Sequence, residues 1–269
     1  MAHAADHRVQ SYRNISEIDG LTEGGVVSFV GAGGKTSCMF RLAEEAAKKK
    51  HKVLTTTTTR ILVPEPSQSL HVFTSQTVKQ LVKVLEGEFA GAFHVTAAKS
   101  SDGYKLAGYS VLQVDELADK GMFDWLLVEA DGAAGKPLKA PAAHEPVVPE
   151  RSRAVVGVIG LDCVGKIFNE GRVHRHRIYA RITGLCPGQP ISPISIARLI
   201  CHPSGLFKGS PSGAERIVFL NKVDTIERGK PAQNIIDEVR NTGTDGVDRF
   251  IIGAVRDTSG RPFTTVELR

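Results

Sequence analysis

No run in the chain approaches the roughly 20 consecutive apolar residues that cross a bilayer, so no membrane partner is expected. The opening MAHAADHRVQSYRN lacks the apolar core of a secretion signal; residues 1–20 read as a loose N-terminal tail, and the protein is expected in the cytoplasm. The four cysteines, Cys38, Cys163, Cys186 and Cys201, contain no C-x-x-C pair. That argues against a zinc site and against a disulfide framework, and leaves reduced thiols that mostly pack. A basic arm is also missing. The 34 Lys+Arg exceed the 29 Asp+Glu by five, spread along the chain, so nucleic acid is not the expected partner. A surplus of this size suits a small anion such as phosphate, and an ordinary solvated surface equally well. There is no internal repeat and no long low-complexity tract.

What is present is alternation. Strand-like runs rich in β-branched residues occur at VVSFVG, KVLTTTT, HVFT, AFHVTA, WLLVEA, AVVGVIG, RIVFLN and RFIIGAV. Helix-like segments at Lys35 to Lys50, TVKQLVKVLEG and PAQNIIDEVRN separate several of them. Continuous apolar strands between amphipathic helices predict an α/β fold, with a mostly parallel sheet covered by helices on both faces. Nine prolines between positions 137 and 211 make the stretch of about 132–213 the least regular. It reads as an insertion within a single domain spanning 21–269.

VVSFVGAGGKTSCMF, from Val26 to Phe40, carries the first chemical signal. A phosphate loop is G-x-x-x-x-G-K-[ST] between a strand and a helix, its N–H groups wrapping the phosphates, Lys reaching the terminal ones and Ser/Thr holding Mg²⁺. Gly34, Lys35 and Thr36 supply the second half. Position 29, where the first glycine belongs, is Phe29, and the nearest upstream glycine is Gly31. The shortened loop still aims a strand end, free amides and a helix dipole at one anion. Gly31, Ala32, Gly33, Gly34, Lys35, Thr36 and Ser37 are the expected phosphate-binding residues. A dinucleotide fingerprint fails, because it needs glycine where Thr36 stands.

Two further motifs follow in order. FDWLLVEADGA ends an apolar strand in Glu129-Ala130-Asp131-Gly132, where nucleotide hydrolases carry D-x-x-G, with the acid on Mg²⁺ and the glycine amide at the terminal phosphate. Glu129 and Asp131, two apart on an extended strand, share a face and with Thr36 form the expected metal site. Acids at an exposed strand end are the plainer alternative. RIVFLNKVDT ends in Asn221-Lys222-Val223-Asp224, matching the guanine-reading N-K-x-D. An Asp carboxylate there accepts from two N–H donors on one edge of guanine. Lys222 lies along the base, Asn221 ties this loop to the phosphate loop, and Gly253-Ala254 offers an amide to the guanine oxygen. TTTTTR, Thr55 to Arg60, presents hydroxyls and a guanidinium near the terminal phosphate, unless its threonines simply favour the strand. VHRHR, Val173 to Arg177, is either a solvated basic loop or a site for an anionic substrate or phosphorylated cofactor.

With VGAGGKTS, TTTTR, VEADGAAGKPLKAP, VVGVIGLDCVG, VHR, ITG and NKVD in this order, residues 21 to 255 resemble the selenium-dependent molybdenum hydroxylase accessory proteins, the YqeC-like family. The most specific segment is Glu129 to Pro149. The resemblance implies a P-loop-like nucleotide-binding fold and a part in maturing the molybdenum cofactor or its selenium ligand, with a molybdenum hydroxylase as client. The resulting expectation is a Mg²⁺-dependent nucleoside triphosphatase using GTP or ATP, with Lys35, Glu129, Asp131 and Arg60 as its catalytic set. A nucleotide-sensing chaperone without turnover is the alternative from another class. A third is an ATP-using kinase or ligase, since the short loop is also similar to that of the Mur ligases. Lys136, Lys139 and His144 follow the metal-site strand, where substrates of open α/β sheets bind, unless Lys136 and Lys139 are simply solvated.

Overall fold

Strands that are apolar on both faces need cover on both, and this requirement organises the chain. The computed structural model describes residues 9–224, 226–243, 246–257 and 259–268. A ten-stranded sheet is built from β1 (Val9–Tyr12), β2 (Gly25–Gly31), β3 (Lys52–Thr57), β4 (Val72–Thr74), β5 (Phe93–Ala98), β6 (Trp125–Glu129), β7 (Ser152–Gly160), β8 (Glu215–Asn221), β9 (Arg249–Ile252) and β10 (Phe263–Glu267). Across the sheet the order is β1-β10-β9-β8-β7-β2-β6-β3-β5-β4. From β9 to β4 every neighbour is parallel; β10 and β1 close one edge antiparallel.

Alternate residues of β2, β6 and β7 enter opposite cores. Val27, Phe29, Leu127, Val156 and Val158 pack on α1 (Lys35–Lys48) through Met39, Leu42, Ala43 and Ala46. On the other face, α2 (Val78–Glu88) and α3 (Val111–Asp119) cover Leu126 and Val128. Val30, Val155 and Ile159 lie beneath α4 (His176–Thr183), α5 (Pro193–Cys201) and α6 (Ile226–Thr242). The fold is therefore α/β, a large and mostly parallel sheet flanked by helices, as the strand and helix patterns led us to expect. After β2 the chain works toward the β4 edge and then, from β7 onward, toward the other. The strand order thus reverses beside β2, and crevices at such a reversal, outside the carboxyl ends of the strands, are where open α/β sheets bind ligands.

Two expectations about organisation need correction. From Val9 onward the first 20 residues are not a loose tail: β1 pairs with β10, and Ile15 and Ile18 are fully buried against the α1 core. The Ser16 N–H donates to Glu45 of α1 at 2.9 Å, which fixes the segment further. Nor is 132–213 a single insertion, because β7 lies inside it and forms the middle of the sheet between β2 and β8. Its prolines mark the connections on either side of β7, and one of them, Pro193, starts α5 behind a Ser192–Ser195 capping box. The last helix begins at Ile226, ahead of the Pro231 at which the sequence pattern had started it.

If residues 15–18 are part of the core, Ile15→Ala and Ile18→Ala should each lower stability by about 2–5 kcal/mol, the usual cost of truncating a buried isoleucine. Urea unfolding with unchanged midpoints would return the segment to the status of a tail.

Candidate functional site

At the end of β2 the backbone turns through Gly33 and Gly34, with φ of 88° and 129°. These are values that residues with a Cβ rarely adopt. Space is also closed there: a Cβ on Gly33 would collide with the Gly160 backbone, and one on Gly34 with the Asn221 amide. The turn thus fits between the tips of β7 and β8. α1 starts immediately afterwards with no side-chain cap. The N–H groups of Gly33, Gly34, Lys35 and Thr36 make no hydrogen bond among the described residues. Unpaired amides at a helix start form a ready site for an anion.

Lys35 is buried beneath this turn. Its ammonium donates to the Gly31 carbonyl at 2.8 Å and lies 3.1 Å from Asp131 and 3.7 Å from Glu129. Burial alone would lower its pKa, but the charges of Asp131 and Glu129 outweigh it and hold the ammonium above its usual value. The Thr36 hydroxyl donates to Glu129 at 2.6 Å. Burial pushes the Glu129 carboxyl upward despite Lys35 and Thr36. Asp131 is held differently from Glu129, by the Gly31 N–H at 3.1 Å and by Lys139 at 3.0 Å. The two acids expected to share a metal therefore part company, Glu129 meeting Thr36 and Asp131 lying between two lysines.

Lys139 carries the pattern onward. It is 1% exposed, donates to the Gly132 carbonyl at 2.6 Å and pairs with Glu145 at 3.0 Å; Arg175 meets the same Glu145 at 2.9 Å. The short strand Leu138–Lys139 pairs in parallel with Val173–His174, which delivers VHRHR to this place. The result is an alternating row, Glu129, Lys35, Asp131, Lys139, Glu145, Arg175. Burial would raise the Glu145 carboxyl, but Arg175 and Lys139 prevail and bring it down to about 2.

The third motif closes the other side. Asn221, 2% exposed, donates to the Gly33 carbonyl at 2.8 Å and accepts from the Val255 N–H at 3.0 Å. It therefore ties the glycine turn to the loop after β9. Lys222, in a left-handed conformation, reaches Asp162 at 2.8 Å, while Asp224 is exposed and its carbonyl accepts from Arg261. Arg256 donates to the Ser37 hydroxyl at 3.0 Å.

Lys35, Thr36, Ser37, Glu129, Glu145, Asp162, Arg175, Asn221, Lys222, Asp224 and Arg256 line one open cleft of about 1520 Å³, together with Gly132, Ala254 and Arg60, while Asp131 and Lys139 lie buried and do not line it. Arg60 is exposed and paired with Asp102. The threonines before it are spent on the sheet. Thr55 hydrogen-bonds Thr96, and Thr56, Thr57 and Thr58 donate to the carbonyls of Ala97, Glu129 and Val147. From TTTTTR only Thr59 and Arg60 reach the cleft. Glu145, Asp162 and Arg256 were not singled out in the sequence, and nothing local in it marks them. A smaller hollow of about 440 Å³, beside His71 and His94, gathers none of these residues.

A family model described as YqeC protein matches residues 27–177. An Escherichia coli (strain K12) protein described as uncharacterized protein YqeC is 33% identical over 222 residues, covering 82% of this chain and 85% of the relative. The chain belongs to the YqeC family.

The lowered Glu145 pKa carries a pH signature. A carboxyl near 4.5 when unfolded and about 2 when folded stabilises the fold above about pH 4.5, and that stability is lost as the pH falls through 2. The gap corresponds to at most about 3 kcal/mol. Urea unfolding across this window should show the wild type losing its advantage over Glu145→Gln as acid is added. Parallel curves would detach Glu145 from the row.

Proposed function

We propose that this member of the YqeC family binds a purine nucleoside triphosphate with Mg²⁺, GTP in preference to ATP, and hydrolyses it. The observation that carries the reading is the glycine turn at the sheet's reversal point, whose unpaired amides open onto the cleft beside Lys35 and Thr36. A triphosphate there meets backbone donors, the helix dipole and a buried ammonium together. Lys35 would swing from Asp131 toward the terminal phosphate, and Asp131 would keep Lys139 and the Gly31 amide as partners. Thr36 and Glu129 are paired oxygen donors of the hard kind that Mg²⁺ takes, and they would hold the ion. Bound there, Mg²⁺ would offset charge on the phosphate oxygens.

Recognition of the base falls to the cleft wall after β8. Asn221 fixes that wall to the phosphate turn, so base and phosphates would be read by one connected unit. Asp224, exposed at the cleft, would accept from the two N–H donors of guanine, with the amide of Ala254 nearby. Arg60 would neutralise charge as the terminal phosphate leaves, after releasing Asp102. The process served is the maturation of a selenium-dependent molybdenum hydroxylase or its molybdenum cofactor. Support for that step is the resemblance centred on Glu129 to Pro149.

Thr36→Ala should weaken Mg²⁺-nucleotide binding by one to two decades with little change in stability, since Thr36 is only partly buried. Lys35→Ala should lose binding and stability together, because it strips a cation from two buried carboxylates. Calorimetric titration at wild-type affinity in Thr36→Ala would remove the phosphate-loop reading.

For the base, GTP, ATP and XTP competing in one buffer should rank GTP first in the wild type. Asp224→Asn should promote XTP, whose 2-oxo group accepts from the new amide. A wild type that binds ATP as well as GTP, with no change of rank in the variant, would end the guanine assignment. Phosphate release with and without a cofactor-loaded client hydroxylase separates an enzyme from a nucleotide-sensing chaperone.

A further inference from the structure

Beside the glycine turn, where Pro137 packs against Gly33, begins a wall that phosphate-loop chemistry does not use. Lys136, His144, His174 and Arg175 face the cleft there, brought together by the Leu138–Lys139 and Val173–His174 ladder. Glu145 is the single acid among them, and Lys139 and Arg175 already engage its carboxylate. The Arg175 guanidinium is about 30% exposed and contacts Glu145 through Nε. The Lys136 ammonium donates only to the backbone carbonyl of Glu170 among the described residues. Burial and then the charges of Lys139 and Arg175 hold the His174 pKa below its usual value, so near neutrality its ring is an uncharged donor and acceptor.

The backbone points to the same place. Four non-glycine residues among those described adopt left-handed φ, and three of them, Ala134, Arg175 and Lys222, line this cleft. The fourth, Lys50, lies just past the end of α1. Strain of this kind collects where side chains are held for a ligand. The cleft also exceeds the roughly 300–1,000 Å³ typical of a single small-molecule site.

We infer that this wall is a second anion site, in which Lys136, His174 and Arg175 receive the phosphate group of a small phosphorylated molecule lying beside the loop-bound ligand. A guanidinium fork matches phosphate oxygens in geometry, and a second cation at the same wall suits a dianion. The inference stands apart from the nucleotide reading and does not require it.

Pyrophosphate titrated calorimetrically into the full chain tests both sites at once. Two sites are expected in the wild type. Lys136→Ala should weaken one of them at least tenfold, and Lys136→Ala with Arg175→Ala should remove it, while the other keeps its affinity. Thr36→Ala should weaken only the other. Arg175→Lys should restore part of the lost affinity relative to Arg175→Ala, and Lys136, being only partly buried, gives a variant expected to fold normally. A single site that responds to Thr36→Ala and ignores Lys136→Ala would overturn the inference and leave the phosphate loop standing. A single site that responds to Lys136→Ala and ignores Thr36→Ala would support it and sink the loop reading instead. No binding at all would overturn both.

Discussion

A polar group almost cut off from water has to find its partners within the protein, and Asp131, 2% exposed, is in that position. Its partners come from three separate places: the Gly31 amide at the end of β2, Lys35 at the start of α1, and Lys139 from the strand after β6. Because all three must converge on one side chain, the glycine turn, the helix start and the Leu138–Lys139 strand are held in register. Lys139 then needs Glu145, and Glu145 draws in Arg175. The shape of the cleft floor follows from this sequence of obligations. Deeply buried ions are a poor source of stability but a strict source of geometry, since a misplaced member leaves an uncompensated charge.

Around that floor the sheet supplies rigidity. The tips of β2, β6, β7 and β8 are stepped, β2 running past the level of Glu129 and β7 and β8 further still, and the side chain of Asn221 bridges the glycine turn to the loop beyond β9. Residues nearly two hundred positions apart in sequence thereby move as one piece. The rim at Arg60 is held differently, by an ion pair to Asp102 in which both side chains are exposed.

The sheet was legible in the chain because its central strands are buried on both faces and read as unbroken apolar runs. The glycine turn was legible as a shape because it is local, a strand, a few consecutive residues and a helix. Asn221 was legible as a tie through its motif. Other features were hidden for physical reasons. Ile15 and Ile18 are isolated apolar residues among polar ones, and only tertiary contact shows them to be core. The threonines of TTTTTR gave no sign of whether their hydroxyls faced solvent or neighbouring strands; four of them face inward. Glu145 and Asp162 draw their meaning from Lys139, Arg175 and Lys222, contacts set by folding rather than by spacing. Prolines flanking β7 masked how central that strand is.

The alternating row also constrains how this protein can change over time. Its six members carry three positive and three negative charges and sum to zero. Replacing one member by a neutral residue strands a charge, at a cost of about 3–5 kcal/mol when the site is buried. That is a large part of the roughly 5–15 kcal/mol by which a domain of this kind stays folded. Neutral drift through single steps is therefore nearly closed along the row, whereas exchanges that remove a neighbouring acid and base together remain open. Lineages that remodel this cleft should do so in coupled pairs, or only after stabilising changes elsewhere have widened the margin.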